Sequence, residues 1–413
     1  MTTNTTGTLP LQGLRVLDVT AALAGPQTTF LLGALGAEVI KVEAPGGSDM
    51  GRLNPPYVCK LGIHFDGPLH DDDVSVSALS RLRNKRSVTI DGKSVEGRAL
   101  LQELAASCDI VVHNIRAESI LGLGVDYESL QSRNPELIYC AISAFGADST
   151  HGDVGMDIMV QALSGLMAVT GEEDGPPMRV GLPIADFVAP LYACFAILGA
   201  LRLRDQGMGG RKVEVSMLDA LTSLVASEHF DVLEQFGMPI RTGNSLARMG
   251  PFGCYRTSDG YVAIAASQDR WCHQLYRAMG RPDLIENPLL GTRGARASNA
   301  KLVDSTIEEW TTLLTSDAVV KQLTAHGVPA AEVRDPRSAL ADEGVVARGG
   351  VVPLVFPPTG QEVGLTGGVP FRFSDVDVVI EPVHSLGADT FDVLSAIGVT
   401  DAHLERLRTE GVI

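Results

Sequence analysis

Residues 15–20 read RVLDVT, residues 26–35 read PQTTFLLGAL and residues 37–43 read AEVIKVE. Two β-branched runs flank a stretch of helical composition, which predicts a βαβ unit. Its strands are parallel, and a parallel sheet needs helices over its faces. The same alternation returns downstream. Strands are expected at Ser87–Asp91, Asp109–Asn114, Leu137–Phe145 and Lys212–Met217. Helices are expected at Val95–Ala106, Tyr127–Ser132, Asp157–Val169 and Asp186–Arg204. The pattern is that of a doubly wound α/β sheet.

Residues 44–82 interrupt the alternation with Pro, Gly and Asp and predict a long irregular segment. Its Asp71-Asp72-Asp73 triplet reads as a solvated loop. The character changes near Phe230. A strand is expected at Tyr261–Ala265, helices at Gln268–Met279, Ser305–Ser316 and Ala318–Ala325, and short β pieces at Val351–Val355 and Pro370–Phe373. Helices at Asp389–Ile397 and Ala402–Glu410 close the chain.

The 413 residues carry 33 Lys and Arg against 50 Asp and Glu, a net charge of −17, which argues against a nucleic-acid binder. Met1–Pro10 has neither the basic start nor the apolar centre of a signal peptide. The longest apolar run, Phe187–Leu201, is shorter than the roughly 20 residues of a membrane span and reads as a buried core helix. Six scattered cysteines without a C-x-x-C read as reduced thiols of a cytoplasmic protein, neither a disulfide frame nor a zinc site. No H-x-x-x-H pair occurs, so no metal is expected.

The turn after the first strand lacks G-x-G-x-x-G, and neither a phosphate-binding G-x-x-x-x-G-K-[ST] nor a G-x-S-x-G elbow is present. Three constellations remain. Asp186 stands where the apolar helix should begin. It reads either as that helix's N-cap or as a nucleophilic carboxylate kept ionised by the helix N-terminus, with Pro190 in or just after the first turn. Asp157 begins the preceding helix and reads as its cap or as a second carboxylate. Arg81, Arg83, Lys85 and Arg86 form a basic cluster, either a solvated edge or a holder of phosphate. A glycine-bearing loop, Gly243–Gly253, holds Asn244, Arg248, Gly250 and Pro251 and reads as a connection or a lid.

In order along the chain stand LQGLRVLDVTAALAGP, LGAEVIKVEAPGGSD, RNKRSVTID, VVHNIR, GMDIMVQALSGLMAVTG, VGLPIADF, GRKVEVSMLDAL, GPFGCYRTSDGYVAIAA, HGVPAAEVRD and ALADEGVVARG. Together these segments resemble the class III CoA-transferase family, which includes formyl-CoA transferase, carnitine CoA-transferase and α-methylacyl-CoA racemase. The resemblance implies an α/β fold: a large Rossmann-like doubly wound CoA-binding domain (1–225 and 335–413), a smaller α/β domain (226–334), and an interlocked homodimer. It implies a CoA thioester as substrate, a carboxylic acid as acceptor and no tightly bound cofactor. It places Asp186 at the family's nucleophile, passing through an aspartyl anhydride and an aspartyl-CoA thioester, with Asp157 as its catalytic partner.

The resemblance also places Ala21, Ala22, Leu23, Ala24, Ile90, Lys93, Asn114, Ile115 and Met217 along CoA. Two arginines of formyl-CoA transferase are replaced by Ala44 and Gly122, for which Lys85, Arg86 or Arg116 are the expected substitutes. The racemase branch carries histidine before the first aspartate; Met156 stands there, and His151 lies six residues from Asp157. A racemase using Asp186 with a nonstandard base, and a non-catalytic CoA-binding homologue, are the alternative readings. Arg179, Arg241 and Arg248 are candidates for binding a second carboxylate of the acceptor.

Overall fold

A computed structural model describes residues 7–47, 49–70, 72–152 and 154–413. Asp71 and the first six residues, on which two sequence expectations fall, lie outside that set. The first unit opens with β1 (Arg15–Val19), α1 (Ala24–Ala34) and β2 (Glu38–Glu43), the expected βαβ unit. There follow α2 (Met50–Leu53), β3 (Tyr57–Cys59), β4 (Gly62–His64), β5 (Val74–Ser75) and α3 (Val76–Arg81). Residues 44–82 are therefore not irregular: β3 pairs with both β4 and β5 as a small antiparallel sheet. Strands this short give no period to read.

The alternation resumes with β6 (Arg86–Thr89), α4 (Val95–Ala106), β7 (Ile110–His113), α5 (Ala117–Leu123), α6 (Tyr127–Gln131), β8 (Ile138–Ser143), α7 (Asp157–Leu163), α8 (Leu166–Val169), α9 (Ile184–Leu203) and β9 (Arg211–Ser216). Six parallel strands form one sheet in the order β6-β2-β1-β7-β8-β9. The chain winds outward from β1 in one direction and then from β7 in the other. The gap between the carboxyl ends of β1 and β7 is thus the topological switch point, where open α/β sheets hold ligands. The sheet's apolar face (Leu17, Ile40, Val88, Val111, Tyr139) meets Leu101 and Leu104 of α4 and, from the end of the chain, Leu394 and Leu407.

Contacts divide the chain into two compact units. The first runs through Ser164 and adds Gly181–Leu224 and Asp342–Ile413; the second is Gly165–Val180 with Val225–Ala341. Against the expected division, 165–180 and 335–341 fall in the second unit. Gly165, at φ +84°, ends the helix expected to run to Val169. The Arg241 guanidinium then ties the carbonyls of Ala168, Glu172 and Gly175 into the second unit. That unit is a three-stranded antiparallel sheet (Phe252–Arg256, Tyr261–Ala265, Ala330–Glu332) packed on Asp269–Ala278, Ala300–Thr311 and Ser316–Ala325 around Val262, Leu275, Ile307 and Leu323. In the first unit Val351–Phe356 pairs with Gln361–Gly367, and Pro370–Phe373 is not a strand.

Helix α9 is longer than the apolar run that announced it. With the turn after it, Ile184–Met208 is long and apolar enough to cross a membrane, and 44% of its apolar window is buried inside the protein. One face (Ala185, Ala189, Ala193, Ile197) is buried; the other (Leu191, Tyr192, Phe195, Leu198) is exposed, so it is a half-buried helix. All six cysteines are free, five of them buried.

Candidate active site

The helix that carries Asp186 starts earlier than its sequence suggests. Its first residue is Ile184, its N-cap is Pro183, and Asp186 is its third residue rather than its cap. Proline offers no side-chain acceptor for the bare N–H groups of a helix start. Asp157 supplies one from α7: its Oδ1 accepts the Ala185 N–H at 2.7 Å, and its Oδ2 accepts from Gln161 Nε2 at 2.6 Å. Asp157 therefore caps α9 and not its own helix, whose N-cap is Met156. Pro190 lies inside α9, so the Asp186 carbonyl lacks its usual i+4 donor.

The Asp186 carboxyl is pushed up to about 6. Burial is the main cause and the Asp157 charge adds to it; Arg81 and the Ala24 N–H oppose them. The helix N-terminus thus does not hold it in the ordinary carboxylate range, yet it is still ionised at neutral pH. The Arg81 guanidinium is half-buried and, among the described residues, forms no ion pair within 4 Å; its hydrogen bond runs to the Ala22 carbonyl at 3.5 Å.

The turn Ala21–Ala24 joins this carboxyl to the switch point. Ala22 sits at φ +64°, a left-handed conformation that costs an alanine about 1 kcal/mol. Two side chains hold it there. Asn114 accepts the Ala21 N–H at 2.7 Å and donates to the Ala21 carbonyl at 2.8 Å, and Asp49 accepts the Ala22 N–H at 3.1 Å. Gly25 follows because a Cβ there would stand 2.4 Å from Thr20 Cβ. Leu23 and Ala24 are buried behind the turn.

A cavity of about 670 Å³ opens at the switch point. Of the expected CoA residues, Ala21, Ile90, Lys93 and Ile115 line it, together with Ala44 and Gly122. Asn114 supports it through Ala21, Arg116 is exposed beyond Ile115, and Met217 is buried after β9. Arg98 also lines it, a residue the sequence reading passed over. Its Nη1 donates only to the carbonyls of Gly92 and Lys93, at 3.4 and 2.9 Å, which leaves most of the guanidinium fork without a partner among the described residues.

Two of the expected phosphate holders are engaged elsewhere. Lys85 points inward, bonding Asp18 at 2.8 Å, Thr29 Oγ1 at 2.7 Å and the Pro26 carbonyl at 2.8 Å. Burial pushes Lys85 below its ordinary value. Burial also pushes Asp18 up, but Lys85 and Lys41 outweigh it and hold its carboxyl well below the usual carboxylate range. Lys41 in turn lies 3.3 Å from Asp49, so this buried network reaches the Ala22 turn from beneath. Arg86 pairs with Glu38 at 2.9 Å and lies 3.6 Å from Asp389.

In the second unit the Gly243–Gly253 loop is held at several points. Arg248 pairs with Glu228 at 2.8 Å, and the Gly250 carbonyl accepts from the fully buried Arg296 at 2.9 Å. Asn244 lines a cavity of about 610 Å³ with Leu246 and Phe252. All three nitrogens of Arg241 are held by backbone carbonyls, so its fork is committed within this unit, and Arg179 donates to the Val180 carbonyl at 3.0 Å.

Residues 11–390 match the model of CoA-transferase family III. The chain is 32% identical to the succinate–glutarate CoA-transferase of Agrobacterium fabrum, over 82% of this chain and 84% of that one. It is 31% identical to the formyl-CoA:oxalate CoA-transferase of Streptomyces coelicolor, over 98% and 99%. The crystal structure of a CAIB/BAIF family protein from Brucella suis superposes with a TM-score of 0.81 at 31% identity, covering 95% of this chain and all of that one.

Proposed function

Because this chain belongs to CoA-transferase family III, and is an enzyme that transfers CoA between acids, we propose that Asp186 carries the transfer covalently. Its carboxylate attacks the acyl-CoA carbonyl, the C–S bond breaks, and CoA leaves as thiolate from a mixed anhydride. The thiolate attacks the aspartyl carbonyl and expels the donor acid, leaving an aspartyl-CoA thioester. The acceptor carboxylate displaces the thiolate to form a second anhydride. The thiolate then takes the acceptor's acyl group and restores Asp186.

The observation that carries this reading is the placement of Asp186 in the first turn of α9, where the Ala24 N–H of the turn meets it and burial raises its carboxyl to about 6. It is more basic than an ordinary carboxylate and still ionised at neutral pH, which suits a nucleophile. CoA lies at the switch point, its polyphosphate facing Lys93 and Arg98, its thioester led to Asp186 along the Ala21–Ala24 turn. The acceptor is a dicarboxylic acid, the class to which the succinate, glutarate and oxalate of the relatives' names belong, with Arg81 as the donor for a carboxylate. A second copy covers the exposed apolar face of α9 in an interlocked homodimer.

The test is chemical trapping. After incubation with succinyl-CoA and a hydroxylamine quench, mass spectrometry should find a hydroxamate at Asp186, and Asp186→Ala should lose transfer. An unmodified Asp186 in a chain that still transfers CoA would remove the reading.

A further inference from the structure

The small β3-β4-β5 sheet holds none of the residues assigned above to transfer, and its side chains form a donor cluster of their own. Cys59 closes β3, His64 closes β4 and His70 lies before β5. A ligand atom from each falls within 4.8 Å of the other two. No H-x-x-x-H spacing announces them, because antiparallel pairing and the loop after β4 bring them together.

The surroundings suit a bound cation. The Cys59 thiol is buried, and among the described residues its sulfur accepts only from the Leu61 N–H, at 3.4 Å. The His70 ring has no hydrogen-bond partner among the described residues and meets the His64 ring edge-on at 5.7 Å between centroids. Asp73 accepts from His64 Nε2 at 2.7 Å and takes the backbone N–H groups of Leu69 and His70 at 2.6 and 2.8 Å. A carboxylate behind a histidine fixes the proton on the far nitrogen and presents the near one to a metal. Both His64 ring nitrogens now face acceptors, so with Asp73 kept on Nε2 a cation at Nδ1 displaces the Asp66 carbonyl, 2.9 Å away.

Only the inner strand of the hairpin is packed: Val58 joins Leu79, Leu354 and Phe356 in a core cluster, while the outer part is bare. Leu61, Ile63, Phe65 and Leu69 are each more than half exposed. Small elements that bury so little apolar surface are commonly secured by a metal or a disulfide, and Cys59 has no disulfide partner.

We propose that Cys59, His64 and His70 bind one zinc-class divalent cation that staples this hairpin. One thiolate and two imidazoles match the preferred donors of zinc, with solvent in the fourth position. Bonds of about 2.0–2.3 Å place tetrahedral donors roughly 3.3–3.8 Å apart, so the hairpin closes by about an ångström on binding. The thiol proton and any proton on Nδ1 leave to solvent as the bonds form.

The test is cobalt(II) titration of the full chain after chelator treatment. One equivalent should bring up the near-ultraviolet thiolate-to-cobalt charge-transfer band and the visible bands of a tetrahedral site, and zinc should abolish both. Cys59→Ser should lose the charge-transfer band. His70→Ala, a change at an exposed side chain that leaves the fold intact, should weaken binding at least tenfold, while Cys254→Ser should change nothing. A wild-type chain without the band, a band that survives Cys59→Ser, or unchanged affinity in His70→Ala would each overturn the site.

Discussion

Asp157 holds the backbone N–H of Ala185 at 2.7 Å, so the residue immediately before Asp186 is anchored by another helix's carboxylate. Asp157 therefore acts on Asp186 in two ways. It fixes the first turn of α9, and its charge raises the carboxyl that follows. The two roles separate by mutation. Asp157→Asn keeps an oxygen for the cap and removes the charge; Asp157→Ala removes both.

The first prediction concerns pH. Transfer needs Asp186 ionised, so kcat/KM should fall about tenfold per pH unit below about 6. In Asp157→Asn the acidic limb should move to lower pH. In Asp157→Ala the limb should move likewise, and the thermal midpoint should also drop, by an amount equivalent to about 1 kcal/mol for the lost cap. Profiles of the three proteins measured together check this.

The second concerns stability. Asp186 has a folded value of about 6 against an ordinary 3.8. The folded state thus binds this proton more tightly, and the group weakens the fold increasingly as pH rises from 3.8 through 6. Asp186→Asn should stabilise the protein at pH 7 by roughly 1–3 kcal/mol and give no gain near pH 4. Calorimetry at the two pH values reads the difference.

The third separates Lys85 from Arg98. Lys85→Ala strands the buried Asp18 charge and should cost about 3–5 kcal/mol of stability. Arg98→Ala should leave the thermal midpoint in place, raise KM for the acyl-CoA about tenfold and spare kcat. Repeating the kinetics with 3′-dephospho-CoA thioesters identifies the phosphate concerned: the effect of Arg98→Ala vanishes if it is the 3′ group.

The fourth concerns Arg81. Because its charge lowers the Asp186 carboxyl, Arg81→Gln should shift the acidic limb upward. Its KM for a dicarboxylic acceptor should rise more than its KM for a monocarboxylic one, which paired acceptor titrations measure.

The parallel sheet was legible because β-branched runs and helical runs alternate from Arg15 to Glu43 and again from Arg86 to Ser216. What sequence could not show is pairing across distance. Lys85 and Arg86 look alike in a basic cluster, but strand alternation turns Lys85 inward to Asp18 and Arg86 outward to Glu38. Asp186 looked like a cap because its true cap lies 29 positions earlier, in another helix. Arg98 carries no motif in the sequence; the sheet order puts it at the rim of the switch point. The 44–82 segment defeated reading because three strands of two or three residues carry no periodicity.

The buried network beneath the Ala21–Ala24 turn has one more consequence. Asp18, Asp49, Lys41 and Lys85 are two negative and two positive groups in mutual contact, so the floor of the switch-point cavity is electrically closed on itself. A polyanion arriving above it finds the buried lysines already matched by carboxylates, so the cations left facing it are Lys93 and Arg98 at the rim. The site would then grip its ligand by charge at the rim, with the base neutral in sum.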